Sequence, residues 1–168
     1  MRAELMVDKE TEFRLIDKIK DLLLNEGYNA SNSIIVTVST DYSSIVGQVL
    51  RHELTYEGEI CDGFGIEVPY PDETWNDQYL NSVIAMFKLN NVETKNIVLV
   101  EAGVIRGGNY TKVLDIIRND LKLTQSVITV SLYENVHSKF KSNFVAQYYD
   151  DTKQDLTFWW EKQNNHWI

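Results

Sequence analysis

Between residues 96 and 111 an apolar run, NIVLV, ends in a carboxylate, Glu101, and gives way to AGVIRGGNYT. Gly107 and Gly108 let main chain come close to a ligand. The amides of 106–111, helped by the side chains of Asn109 and Thr111, are then placed to surround a phosphate at the positive end of a following helix. Arg106 adds a charged fork suited to the same anion. Glu101, where strand meets turn, suits ribose hydroxyls or a Mg²⁺ ion, since both take hard oxygen partners. On spacing alone two readings stand side by side: the glycines serve a ligand or only turn the chain, and Glu101 is a ligand group or merely a strand-end acid in solvent or an N-cap.

Other chemistry-bearing residues are sparse. His52, His137 and His166 lack metal-ligand spacing, and Cys61 is the single cysteine, which excludes an intrachain disulfide and a cysteine-based zinc site. A small hydrophobic filler is the expectation for Cys61. The chain has no G-x-S-x-G elbow, Walker loop or dinucleotide fingerprint.

The elements that must position the 101–111 turn follow from periodicity. Apolar spacing of three and four through Phe13, Ile16, Ile19, Leu22 and Leu23 predicts a helix over 9–25, stopped by Gly27. The β-branched run SIIVTVS at 33–39 predicts a buried strand, and the polar turn 40–44 leads into a helix carrying Ile45, Val46, Val49, Leu50 and Leu54. The acidic, Gly/Pro-punctuated stretch 55–75 is expected to be a loop or hood-like excursion with weak strand character at 59–61 and 65–68. A helix over 76–89, a central strand over 96–101, a helix over 110–122 and a strand over 126–133 follow. Aromatic-rich strands at 144–149 and 156–160 are expected to close the chain as an antiparallel hairpin. The fold class is therefore α/β, a mainly parallel sheet with helices on both faces and a C-terminal antiparallel hairpin.

A length of 168 residues, 43% apolar and 24% charged, predicts one globular domain spanning 1–168. No apolar run approaches the roughly 20 residues that cross a bilayer, and the N-terminus lacks a secretory pattern, so the expectation is a cytoplasmic protein without a membrane partner. The net charge of −9 argues against nucleic acid, which carries one phosphate charge per ~1.7 Å of duplex. The few clustered cations, Arg106 with Lys112 and Lys139 with Lys141, suit one small anionic ligand; the sequence does not say whether they meet.

On these residues the segment IVLVEAGVIRGGNY (97–110) resembles the ribose-phosphate loop of the type I phosphoribosyltransferases, in which an apolar strand, two acids and a short apolar stretch precede a Thr-Gly-rich turn. IIVTVSTDYSSIVGQVL is similar to the first strand, pyrophosphate loop and helix of that fold. SLYENVHSKFKSNFVAQYYDDTKQDLTFWWE resembles the closing segment of the short hypoxanthine and xanthine-guanine enzymes, with Phe158-Trp159-Trp160-Glu161 where Phe-Pro-Trp-Glu is common. The resemblance implies a transferase that moves a phosphoribosyl group from phosphoribosyl pyrophosphate to a nucleobase, uses Mg²⁺ and pairs as a homodimer. It implies phosphate binding by Arg106, Gly107, Gly108, Asn109, Tyr110 and Thr111, and a catalytic and metal-holding role for Glu101. Thr40 and Asp41 take the pyrophosphate-loop position, and Asn135 the position of the base-reading lysine.

The departures from that pattern bear on activity. The second acid is Ala102, the acid that helps the purine proton move falls on Ile105, Asp41 would repel pyrophosphate, and the base-stacking aromatic falls near Asp155. Two functional expectations follow: a divergent phosphoribosyltransferase-fold protein that binds a phosphoribosyl or nucleotide ligand through 101–111, and a non-catalytic regulatory or interaction protein that keeps the fold and presents its acidic face or closing aromatics to a partner.

Overall fold

In the computed structural model, which describes residues 2–39, 44–55, 57–70, 73–90 and 92–159, the chain runs β1 (Ala3–Val7), α1 (Lys9–Asn25), β2 (Ser33–Ser39), α2 (Ser44–Glu53), β3 (Asp62–Glu67), α3 (Asp77–Leu89), β4 (Asn96–Val104), α4 (Gly108–Asp115), β5 (Val127–Asn135), β6 (Phe144–Tyr149) and β7 (Gln154–Phe158). A 3₁₀ turn at Val92–Thr94 precedes β4, and a π turn at Ile116–Asp120 extends α4. Thr40 and Asp41 lie outside the described residues.

Five strands form one sheet in the order β3-β2-β4-β5-β6, each neighbouring pair parallel. Alternation along the strands splits the core into two layers. Ile35, Val98, Val100, Val130 and Leu132 pack against Leu15, Ile16, Ile19 and Leu23 of α1 and Val46 and Leu50 of α2. Ile34, Val36, Ile97 and Leu99 pack against Val83 and Phe87 of α3 and Tyr110, Val113 and Ile116 from α4 onward. The α/β class with helices on both faces is thus borne out. The chain leaves β3 at one edge and returns to the other side of β2, so the carboxyl ends of β2 and β4 flank the topological switch point where open sheets bind ligands.

Two expectations need correction. The stretch 55–75 is not simply an excursion, because Asp62–Glu67 forms edge strand β3 in parallel register with β2. Its apolar signal is weak because only Phe64 and Ile66 turn inward along DGFGIE. The closing strands exist, but they do not form an antiparallel hairpin. β6 pairs in parallel with β5, and β7 pairs in parallel with β1, Leu5 opposite Leu156 and Val7 opposite Phe158. Alternation marks a strand but not its partner; the partner is chosen by burial, which for Val7 and Phe158 is nearly complete. The first strand escaped the reading for the same reason, since its pairing comes from the opposite end of the chain.

Of the closing aromatics, Tyr149 and Phe158 are core and Tyr148 is exposed, while Trp160 lies outside the described residues. Phe158 and Tyr149 are buried edge-on against Tyr133, with ring centroids 6.0 and 6.4 Å away, and the Trp159 indole N–H donates to the Glu12 carboxylate. Buried Cys61 also plays the filler role, its thiol 3.4 Å from the Ser33 carbonyl and pushed up to about 11 by burial. Among the described residues no helix is long and apolar enough to cross a membrane.

Phe158→Ala should cost about 3 kcal/mol or more, because it empties a site between Tyr133 and the β1–β7 pair. Urea unfolding should show the midpoint lowered with little change in slope.

Candidate functional site

The carboxyl end of β4 opens into a cavity of about 500 Å³. One wall is Pro69, Tyr70, Glu73 and Trp75, from the chain that follows β3; the other is Glu101, Gly103 and residues 105–109. β4 runs three residues beyond the expected strand end, so the turn proper is only 105–107. Gly103 therefore belongs to the strand. A Cβ there would lie 3.2 Å from Leu156 Cδ2, so its bareness admits β7 rather than a ligand.

α4 begins at a residue that offers it no side-chain cap. The N-caps of α1 and α3 are Asp8 and Asn76, whose side chains accept first-turn N–H groups. The N-cap of α4 is Gly107, at φ +75° and ψ +16°, a left-handed conformation that favours glycine. A Cβ on Gly107 would also lie 2.1 Å from Phe140 Cβ, so Phe140 packs directly on bare main chain. The Gly107 carbonyl accepts from Thr111 N at 3.1 Å and from Thr111 Oγ1 at 3.0 Å. The N–H groups of Gly108, Asn109 and Tyr110 precede that first intrahelical bond and have no acceptor within the helix. They carry the partial positive charge of the helix terminus beside the cavity.

The residues expected to bind phosphate thus divide into two sets. Gly107, Gly108, Asn109 and Arg106 line the cavity, and Arg106 has no ion-pair partner among the described residues. At Gly108 a Cβ would meet nothing within 4 Å, so the fold does not demand a glycine there. Thr111 spends its N–H and its hydroxyl on Gly107, contrary to its expected phosphate contact. The Tyr110 side chain is also corrected: it is fully buried, and its hydroxyl donates to the carbonyls of Val130 and, at 3.3 Å, Leu99. That anchors α4 to β4 and β5 and leaves only the Tyr110 amide for a ligand. Burial pushes this phenol well above its ordinary range.

Glu101 lines the cavity, on the same side of β4 as Leu99. Its Oε2 is buried and has no hydrogen-bond partner among the described residues. Burial pushes its carboxyl up to about 8, and Asn109 acts in the opposite direction. That displacement keeps Glu101 largely protonated at neutral pH.

Asn135 is not placed as a base reader. It is the last residue of β5, 2% exposed; its Nδ2 donates to the Ile105 carbonyl at 3.2 Å, and its Oδ1 accepts from His137 N at 3.1 Å. It braces the turns after β4 and β5 against each other. Asp155, near which a stacking aromatic was expected, sits on the exposed face of β7 with Arg2 Nη1 3.3 Å from its Oδ1. Histidine spacing missed that the fold brings His137 to Asp150 and Asp151, but Asp150 is already held by Lys153 at 2.9 Å and by Thr152.

The wall formed by Pro69, Tyr70, Glu73 and Trp75 was not foreseen. Glu73 Oε2 accepts from Tyr70 N at 3.1 Å and Tyr79 Oη at 2.9 Å, and the Trp75 and Tyr79 rings meet edge-on at 6.2 Å. A proline- and aromatic-rich stretch was the available signal. Only the parallel register of β3 on β2 directs it to this site.

Two outcomes follow. Between pH 4.5 and about 8 the folded state keeps a Glu101 proton that the unfolded chain has released, so the group's contribution to stability is full below pH 4.5 and lost as pH rises through about 8. Glu101→Gln should flatten that decline, leaving the variant more stable than the parent above about pH 8 and comparable near pH 4 in urea titrations. Gly107→Ala should cost about 2 kcal/mol or more through clash and backbone strain, whereas Gly108→Ala should stay within about 1 kcal/mol of the parent.

The sequence matches no family model and no curated protein sequence. Solved structures do match. The purine phosphoribosyltransferase of Pyrococcus horikoshii Ot3 superimposes with a TM-score of 0.67 at 14% identity, covering 94% of this chain and 93% of that one. The xanthine-guanine-hypoxanthine phosphoribosyltransferase of Helicobacter pylori gives 0.64 at 16% identity, with 98% and 97% covered. A hypothetical protein of Neisseria gonorrhoeae with bound ppGpp gives 0.64 at 14% identity, with 98% and 96% covered. With its central parallel sheet, its switch-point cavity and the glycine turn after β4, the chain has the fold of the type I purine phosphoribosyltransferases.

Proposed function

We propose that the protein binds a phosphoribosyl or nucleotide ligand in the cavity beside β4, with the ligand's phosphate on the amides of residues 107–110. The observation that carries this reading is the uncapped start of α4, which borders a cavity that also holds an unpartnered carboxyl oxygen of Glu101. Unbonded N–H groups, a helix terminus and Arg106 favour an anion there. The open space at Gly108 lets the anion come close. Glu101 then faces the sugar, where its carboxyl can bond ribose hydroxyls.

The base is assigned to the aromatic wall. With Phe158 and Tyr149 committed to the core, Tyr70 and Trp75 are the aromatic residues that line the cavity. A planar base stacked on Trp75 would take the place of the aromatic contact that is missing near Asp155.

A Mg²⁺ ion fits this site only in part. Glu101 supplies one free oxygen, and such ions are often held by one or two carboxylates with the rest of the shell from phosphates and water. Glu101 would hold the ion after losing its proton, and the ion would supply charge neutralisation for the ligand's phosphates.

At the positions that the resemblance matches to the family's second acid, its proton-moving acid and its base-reading lysine, this chain supplies no such group. Ala102 is 3% exposed in the opposite core layer, Ile105 is apolar, and the Asn135 amide is engaged by main chain. Transfer chemistry depends on placed charge, and one lost group of that kind costs roughly 100-fold or more in another enzyme class. The reading is therefore of a ligand-binding protein in which phosphoribosyl transfer to bases is weak.

In thermal-shift measurements with Mg²⁺, phosphoribosyl pyrophosphate, a nucleoside monophosphate or ppGpp should raise the melting temperature. Ligand at about 100 times its dissociation constant adds about 2.7 kcal/mol, or roughly 5–10 °C for a chain of this size. Gly108→Asp should abolish the shift without unfolding the protein, and Trp75→Ala should weaken the nucleotide more than ribose 5-phosphate. Full shifts in both variants would put the ligand elsewhere.

A further inference from the structure

Arg106, Lys112 and Lys139 line a second cavity, of about 540 Å³, on the outer side of the α4 N-terminus. This answers which of the clustered cations meet. Lys141 goes elsewhere, its Nζ 3.4 Å from Glu134 Oε1 and 3.3 Å from the Val136 carbonyl. Lys139 is brought in by its neighbour: Phe140 packs on bare Gly107 and lies 5.2 Å from the Tyr110 ring. Buried Glu134 holds the same loop through Ser142 N at 2.8 Å. Asp115, the one acid of this cavity, has its Oδ2 3.6 Å from Lys112 Nζ, so two of the three cations have no ion-pair partner among the described residues. In a chain of net charge −9, such a concentration of positive charge is a local exception.

Arg106 and Gly108 belong to both cavities. Gly108 carries no side chain and a Cβ there would meet nothing within 4 Å, so the passage over it is open. We infer that the ligand's phosphate does not end at the α4 amides: a second phosphate, bonded to the first, continues over Gly108 to Lys112 and Lys139, so the site prefers nucleoside 5′-diphosphates to monophosphates. The inference rests on the proposed seat of the first phosphate at residues 107–110. A single phosphate at that seat leaves Lys139 without an anion and Lys112 with Asp115 alone at 3.6 Å, and both lysines line the cavity that the next phosphate of a 5′ chain would enter.

The test is calorimetric titration of the full chain with guanosine 5′-monophosphate and 5′-diphosphate at low salt without added divalent cation. The parent should bind the diphosphate about 3- to 10-fold more tightly, the range of exposed charge contacts. Lys112→Ala with Lys139→Ala should erase that margin and leave monophosphate affinity unchanged. Lys139→Glu should carry the diphosphate below the monophosphate. Equal affinities in the parent, or a double variant that weakens both nucleotides alike, would overturn the second-phosphate seat while leaving the first intact. Failure of both nucleotides to bind would remove the first seat as well.

Discussion

An α-helix starts with N–H groups that its own residues cannot accept, and where this chain begins α4 it leaves them beside a cavity instead of capping them. That single unmet demand organises the site. Everything around it is arranged so that α4 can start without help: the Tyr110 hydroxyl ties the helix to the carbonyls of β4 and β5, Thr111 closes the first turn on Gly107, and Phe140 presses on the bare Gly107 backbone. The Tyr110 and Thr111 side chains of the motif are thus spent on main chain.

Glu101 is the second constraint. A carboxyl in a central strand, with one oxygen buried and unbonded among the described residues, is a cost to the fold, and the same burial displaces it upward to about 8. A ligand hydroxyl or a cation would relieve it. The same burial couples binding to protonation, because a partner that needs the carboxylate must first displace a proton.

How much of this was legible depended on whether the signal was local. Helix α1 and strand β2 follow from spacing within a dozen or so residues and lie where periodicity put them, whereas the glycine turn is shorter than expected because β4 runs on to Val104. Gly107 and Gly108 looked alike in sequence and differ in space: one is demanded by φ and by Phe140, the other by nothing in the fold. Tyr110 sits inside the motif yet turns its side chain to the core, as helical geometry requires, and the Thr111 hydroxyl donates to the Gly107 carbonyl. Asn135, matched by position alone, is spent on the Ile105 carbonyl. The β1–β7 pair, the wall of Pro69, Tyr70, Glu73 and Trp75 and the shared cavity of Lys139 and Arg106 all depend on contacts between distant segments, to which no local pattern refers.

The most direct test follows the main-chain amides themselves. Amide proton and nitrogen resonances of residues 107–110 should shift and saturate together when a nucleoside monophosphate is titrated, with Gly108 among the largest changes. If the nucleotide binds and those four resonances stay in place while others move, the phosphate is not on the start of α4 and the account fails.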